Sequence, residues 1–157
     1  MSKSSGKAGV RVYCEPDLKR FGLEEIDEVH KSLIYQRLVN LAISYPKIKF
    51  SFNGEKISVN EKKLSSMFSD DCIVESGSNF TVCVFPNDSD EFKYYTYVNG
   101  IDIKKGGTHI DYIAYELVSR VRDKLVKKYK NIKPADIKNK ISLVVFFTGF
   151  ANPEFDS

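Results

Sequence analysis

Gly106-Gly107-Thr108-His109-Ile110-Asp111 sets paired glycines, a hydroxyl, an imidazole and a carboxylate within one short stretch, the ingredients of a phosphate cradle, a metal corner or an acid-base site. A Walker loop needs four residues between its glycines and then Lys-Ser or Lys-Thr, and a dinucleotide loop needs GxGxxG; neither spacing occurs here. The same residues suit a helix start. Thr108 is placed to cap the N-terminus, Asp111 to return a hydrogen bond three residues on, and Gly106 and Gly107 to take backbone angles closed to other residues. His109 then sits at the positive end of that helix, which lowers its pKa, and no Cys or second His stands nearby to complete a metal set. A structural role is expected for His109, and likewise for His30, which reads as mid-helix beside Val29 and Lys31.

Glu24-Glu25 and Asp70-Asp71 are paired carboxylates, but adjacent residues on a helix or strand point apart and do not flank one bond. The basic residues are more informative. From Arg120 to Lys140, nine Lys or Arg stand against Asp123 and Asp136, a local charge of +7 in a chain whose total is +3. Lys124, Lys127, Lys128, Lys130 and Lys133 are candidate contacts to DNA phosphates, the sequence-independent part of nucleic-acid binding. The alternative is an ordinary solvated helix face. Phe92, Tyr94, Tyr95 and Tyr97 have rings on which bases stack, yet strand alternation puts Tyr95 and Tyr97 on one side, which favours sheet packing.

Positioning these residues requires a core, and 157 residues suffice for a domain that buries roughly two-thirds of its unfolded surface. At 42% hydrophobic and 29% charged, the chain is not polar enough for wholesale disorder. The run ISLVVFF falls far short of the roughly 20 residues of a membrane helix, and the polar start MSKSSGKAG lacks a signal peptide's apolar centre. A soluble, intracellular protein with no membrane partner is expected. Cys14, Cys72 and Cys83, odd in number and widely spaced, are expected to be buried apolar residues rather than a disulfide framework or zinc site.

Alternation predicts a strand at VRVYC, stopped by Pro16. Ile26, Val29, Leu33, Ile34, Leu38, Leu41 and Tyr45 predict a long amphipathic helix over 24–45, ended by Pro46. Asn53-Gly54 between alternating segments predicts a tight β-hairpin. A short helix over EKKLSSMF and strands at CIVESG, FTVCVF and FKYYTYVNG follow, the strands expected to form an antiparallel sheet. A second helix runs from about His109 to Tyr129, with Ile110, Ile113, Ala114, Leu117, Val121 and Leu125 on one face and most of its Lys and Arg on the other. A helical turn after Pro134 and a strand at ISLVVFF buried on both faces complete the chain.

Taken in order, GVRVYCEPDLKRF, KFSFNGEKI, YVNGIDIKKGGTHIDY and IKPADIKNKISLVVFFTGFANPEFDS resemble the transducer domain of type IIA DNA topoisomerases of the GHKL ATPase superfamily, over about residues 9 to 157. Within that family the chain looks most similar to the large ATPase subunit of T-even-type phage topoisomerases, and eukaryotic topoisomerase II is also similar. VNGI followed by GGTH and then NPEFDS carries the specificity. Val10 departs from the pattern, standing where the family usually has Thr in GTxVxFxPD. The resemblance makes Asn99, Gly100, Gly106, Gly107, Thr108, His109 and Asp111 a family-motif turn. It makes Asn152, Pro153, Phe155, Asp156 and Ser157 the lead-in to an ATP-contacting loop, whose Gln-Thr-Lys lysine reaches the γ-phosphate in the family.

The implied fold is α+β: a mostly antiparallel sheet with two long helices packed on one face, ISLVVFF central, and the left-handed βαβ crossover of the ribosomal-protein-like transducer fold. Residues 1–17 are expected to be a flexible lead-in and the last strand of an ATP-binding domain, and residues 18–157 the transducer domain, stopping before Gln-Thr-Lys. The implied function is mechanical, coupling ATP binding and hydrolysis in an adjacent GHKL domain to DNA gate movement and strand passage in a type II topoisomerase. ATP and Mg belong to the parent enzyme; this chain alone is expected to bind no cofactor or metal, to hold no catalytic residue and to be inactive in ATP hydrolysis and DNA cleavage. Implied partners are double-stranded DNA, bound weakly and nonspecifically, the adjacent GHKL domain and the other subunits or domains of a parent dimer, in host cytoplasm if phage-encoded. An independent nucleic-acid or protein-binding module of the same fold is the alternative. A mismatch-repair or chaperone relative is disfavoured by GGTHID and NPEFDS, which those relatives lack.

Overall fold

The computed structural model describes residues 9–151. They group into two compact units, one up to Ile34 and one from Tyr35. In the first, residues 9–17 form no strand, and Val10, Val12 and Tyr13 are exposed. The strand expected at VRVYC is thus absent. Alternation makes a strand only where a neighbour takes up its backbone hydrogen bonds, and no described residue pairs with this segment. A single 3-10 turn, Leu18–Phe21, follows; the Asp17 carboxylate accepts from the backbone of Arg20, and Gly22 closes the turn at φ 68°.

The first long helix, α1 (Glu28–Ser44), begins at Glu28 rather than at Glu24. Asp27 is the reason: its Oδ1 accepts from the backbone N of His30 at 3.0 Å and lies 2.6 Å from the ring Nδ1. A side-chain cap satisfies one of the donors that every helix start leaves open. His30 consequently belongs to the first turn of α1 and not to its middle.

α1 continues into the second unit. There β1 (Phe50–Phe52) and β2 (Glu55–Ile57) form the expected hairpin, with Asn53 at φ 49° and Gly54 at φ 85°, the paired positive angles of a type I′ turn. α2 (Glu61–Phe68) is capped by Asn60. β3 (Ile73–Ser76), β4 (Phe80–Pro86), β5 (Lys93–Val98), β6 (Ile101–Asp102) and β7 (Ile141–Phe147) make one sheet in the order β3-β4-β7-β5-β6. Every neighbouring pair is antiparallel except β5 and β7, which are parallel and are linked through β6, α3 (Thr108–Leu125) and α4 (Pro134–Lys138). β7 is central, as the apolar run from Leu143 to Phe147 predicts for a strand paired on both edges and covered on both faces.

Register sets the layers. Cys83, Val144 and Tyr95 share one face with Tyr97 and Phe146; Val82, Val145 and Thr96 share the other. Over the first face close Val39, Ala42 and Ile43 of α1, Ile57 of the hairpin and Leu64 of α2, while the rings of Tyr97 and Phe146 stack 4.6 Å apart. On the second, α3 begins with His109 bonded to Thr96 and buries Ile110, Ala114 and Val118. The two long helices therefore cover opposite faces, which corrects the expectation that both pack on one. A central strand apolar on both sides needs two covering layers, since a single layer leaves one side wet.

Three smaller expectations also change. α3 ends at Leu125, with turns rather than regular helix reaching Tyr129. Cys83 is buried, which pushes its thiol up to about 12, and Cys72 is partly buried, but Cys14 is exposed. Among the described residues no helix is long and apolar enough to cross a membrane.

Candidate functional site

β5 leaves the sheet through Asn99-Gly100, a second type I′ turn with φ 49° and 77°, and returns as β6. Three elements meet at this turn. The guanidinium of Arg37 on α1 donates to the carbonyl of Gly100. The backbone N of Asn99 donates to the carbonyl of Phe147 at 2.7 Å, and its side-chain amide donates to the carbonyl of Phe150 at 2.9 Å. Glycine suits position 100 by its positive φ, and an added Cβ would stand 2.8 Å from Leu41 Cδ2, so that side chain would have to move aside. The turn thus grips α1 on one side and the segment following β7 on the other.

The glycine-histidine corner lies against the same strands. Nε2 of His109 is 2.8 Å from Oγ1 of the fully buried Thr96, and its ring meets Phe147 edge-on, as Phe147 in turn meets Phe150. Burial holds the His109 pKa below its ordinary value, with the Asp111 carboxylate opposing the shift. An imidazole kept neutral, with its Nε2 engaged by a buried threonine, ties the helix start to the sheet.

The capping box expected at Thr108 and Asp111 is not formed. Gly107, at φ 148°, is the N-cap, its carbonyl accepts from the backbone N of Ile110 and Asp111, and no side chain caps the helix. Thr108 is already helical, so its hydroxyl is past the position from which a cap reaches back. Gly106, at φ 74°, passes so close to Tyr94 that an added Cβ would stand 2.8 Å from the phenolic oxygen.

Lys124, Lys127, Lys128, Lys130 and Lys133 are all exposed, and among the described residues none of them forms an ion pair. Lys124 closes α3, Lys127, Lys128 and Lys130 occupy the turns after it, and Lys133 caps α4, where its backbone N donates to Asp136. An 18-residue helix is about 27 Å long at 1.5 Å per residue. The structure therefore brings the asparagine turn and the histidine corner together at the carboxyl ends of β5 and β7 and sets the lysines at the far end of α3. Asn152, Pro153, Phe155, Asp156 and Ser157 lie outside the described residues.

Arg37, Thr96 and Phe150 complete the site and are absent from the sequence reading. Asn99-Gly100 repeats the hairpin signal of Asn53-Gly54, so β6 was open to the same inference. Nothing in α1 signals that one of its cations reaches a turn 63 residues away. No group of three His, Cys, Asp or Glu among the described residues is placed to hold a metal. The site is built to join segments.

The profile of the DNA gyrase B family matches residues 27–157. The DNA topoisomerase large subunit of Enterobacteria phage T4 is 32% identical over 145 residues, covering 92% of this chain and 28% of that subunit. DNA topoisomerase 2-beta of Mus musculus is 30% identical over 158 residues, 91% of this chain and 10% of the mouse protein. This chain thus spans only a fraction of the length of these relatives. The ATPase region of Saccharomyces cerevisiae topoisomerase II superposes with a TM-score of 0.68 at 24% identity, over 84% of this chain and 35% of that one. The B-subunit of DNA gyrase from Myxococcus xanthus superposes with a TM-score of 0.57 at 14% identity, over 96% and 52%, a likeness of fold. On the extent of the family match, with both relatives in agreement, the chain belongs to the DNA gyrase B family, which it shares with the type II topoisomerases.

Proposed function

We propose that this chain is the transducer region of an ATP-dependent type II DNA topoisomerase, coupling ATP binding and hydrolysis in an adjacent GHKL domain to movement of the DNA gate. The observation that carries the reading is the double grip of the Asn99-Gly100 turn, on Arg37 of α1 and on the carbonyl of Phe150. A displacement of the segment after β7 is passed directly to the turn, and through it to α1 and the packed sheet, because close-packed elements shift as bodies rather than deform. In this reading residues 152–157 lead to the ATP-contacting loop, and the crossover from β5 to β7 has the left-handed sense of the family. Nucleotide and Mg are bound by the neighbouring domain, so the chain alone neither hydrolyses ATP nor cleaves DNA. Lys124, Lys127, Lys128, Lys130 and Lys133 hold the transported duplex by its phosphates, weakly and without sequence preference.

The test is made in the enzyme that carries this region. Asn99→Ala is expected to leave ATP hydrolysis close to wild type while strand passage per ATP consumed falls severalfold, with the melting temperature recorded to show that the fold persists. An unchanged ratio of strand passage to hydrolysis in a folded variant refutes the coupling role.

A further inference from the structure

On the sheet face covered by α1 and α2, a cavity of about 710 Å³ opens between the residues of α1 from Tyr35 onward, α2 and the β4–β5 loop. Its size is that of a small-molecule site. The floor is Ser142, Val144 and Phe146 of β7, and flat aromatic walls flank it: Phe68 and Phe85, stacked 5.4 Å apart, and Tyr95 with Tyr97. Tyr95 remains 55% exposed and Met67 48% exposed, so these walls have no partner within the described residues. A slot of this kind favours a planar ring system, which gains both burial and offset stacking.

Polar groups gather at one end. Lys93 and Ser142 are register partners on β5 and β7 and share a face, so an ammonium and a hydroxyl stand side by side where the slot opens. Ser142 is only 3% exposed and lines the cavity. Lys93 has no ion pair among the described residues. The rim beside them is already rigid: the buried Asn87 receives Ser89 on its Oδ1, donates its amide to the carbonyl of Glu91 at 2.5 Å and is held through its backbone N by Lys140 at 2.9 Å. Asp88 is the one carboxylate in the lining and is exposed to solvent, while nearby Asp90 is taken up by Lys140 at 2.8 Å.

We propose that this cavity binds a small planar aromatic anion, its rings between the aromatic walls and its carboxylate on Lys93 and Ser142. An ammonium without an ion pair among the described residues, beside a hydroxyl at the end of an aromatic slot, is complementary to that charge and shape. The assignment goes beyond the transducer reading and does not depend on it.

The test is NMR titration of the 157-residue chain with 2-naphthoate and, in parallel, with uncharged 2-naphthalenemethanol. Saturable shifts confined to the amides of residues 93–97 and 142–146 are expected, with the acid binding more tightly than the alcohol. Lys93→Gln is expected to weaken the acid about fivefold, the scale of one partly exposed charge pair, and to leave the alcohol unchanged. Lys93→Glu weakens the acid further, Asp88→Asn tightens it, and Gln36→Trp, on the exposed wall of α1, blocks both ligands. All four changes are at exposed positions and leave the melting temperature near wild type. No saturable shift, equal affinity for acid and alcohol, or indifference to both Lys93 variants overturns the proposal and leaves an apolar crevice.

Discussion

Asn99 and Phe150 stand 51 residues apart in the chain and are joined by a single hydrogen bond, from the side-chain amide of one to the backbone carbonyl of the other at 2.9 Å. The bond closes a circuit in which β5 and β7, parallel neighbours that both end at this edge, hand their exits to one another.

Asn99 contributes through its backbone conformation and through its amide, and two variants separate these. Asn99→Gly keeps the positive φ and loses the bond to Phe150, a cost of about 1 kcal/mol for one partly solvated hydrogen bond. Asn99→Ala loses the bond and also the polar side chain that lets asparagine tolerate the left-handed region, about 2–3 kcal/mol in all. Urea unfolding of the pair measures both; equal losses would show that the bond, not the conformation, carries the effect.

Gly54 and Gly100 occupy equivalent positions in two type I′ turns but differ in what surrounds them. An added Cβ at Gly54 meets nothing within 4 Å, whereas at Gly100 it would stand 2.8 Å from Leu41 Cδ2. Gly54→Ala is therefore expected to cost about 1–2 kcal/mol of strain, and Gly100→Ala about 1–3 kcal/mol more for the overlap. Leu41→Ala should restore part of the loss in the Gly100→Ala background only, a coupling that a double-mutant cycle reads directly.

His109 makes stability depend on pH in a defined direction. Its pKa in the folded chain is lowered from 6.5 by burial, so the unfolded chain takes up the proton first as pH falls. The neutral ring's contribution is complete above pH 6.5 and is lost progressively as pH falls toward the lower folded value. Urea midpoints between pH 7.5 and 5 should decline more steeply for wild type than for His109→Gln, which has no proton to gain. Parallel declines would place the titrating group elsewhere.

Charge reversal of Lys124, Lys127 and Lys128 to Glu tests the proposed phosphate contacts. Duplex affinity measured against salt should lose slope by about 0.9 for every contact removed, equally for unrelated DNA sequences. An unchanged slope would return these residues to an ordinary solvated face. The fold is expected to be intact, because all three are exposed and unpaired among the described residues.

Much of the fold was legible because its signals are local. Asn53-Gly54 announces a type I′ hairpin by the positive φ it tolerates, and ISLVVFF announces a central strand by being apolar on both sides but for Ser142. At the candidate site Gly106 and Gly107 were legible for the same reason, as residues chosen for backbone angle, whereas Asn99 and Gly100 were marked only by the family resemblance. The capping box at Thr108 failed on a local competition as well: Gly107 took the cap, and the hydroxyl was left inside the helix.

By itself the sequence determined which segments are helix, hairpin and buried strand, and where the charge collects, since propensity, periodicity and turn chemistry act over a few residues. Only the tertiary structure decided that α1 and α3 take opposite faces and that Arg37 and Phe150 converge on one turn. Those outcomes depend on which distant surfaces find each other, and a helix face or strand edge is written identically whatever partner covers it.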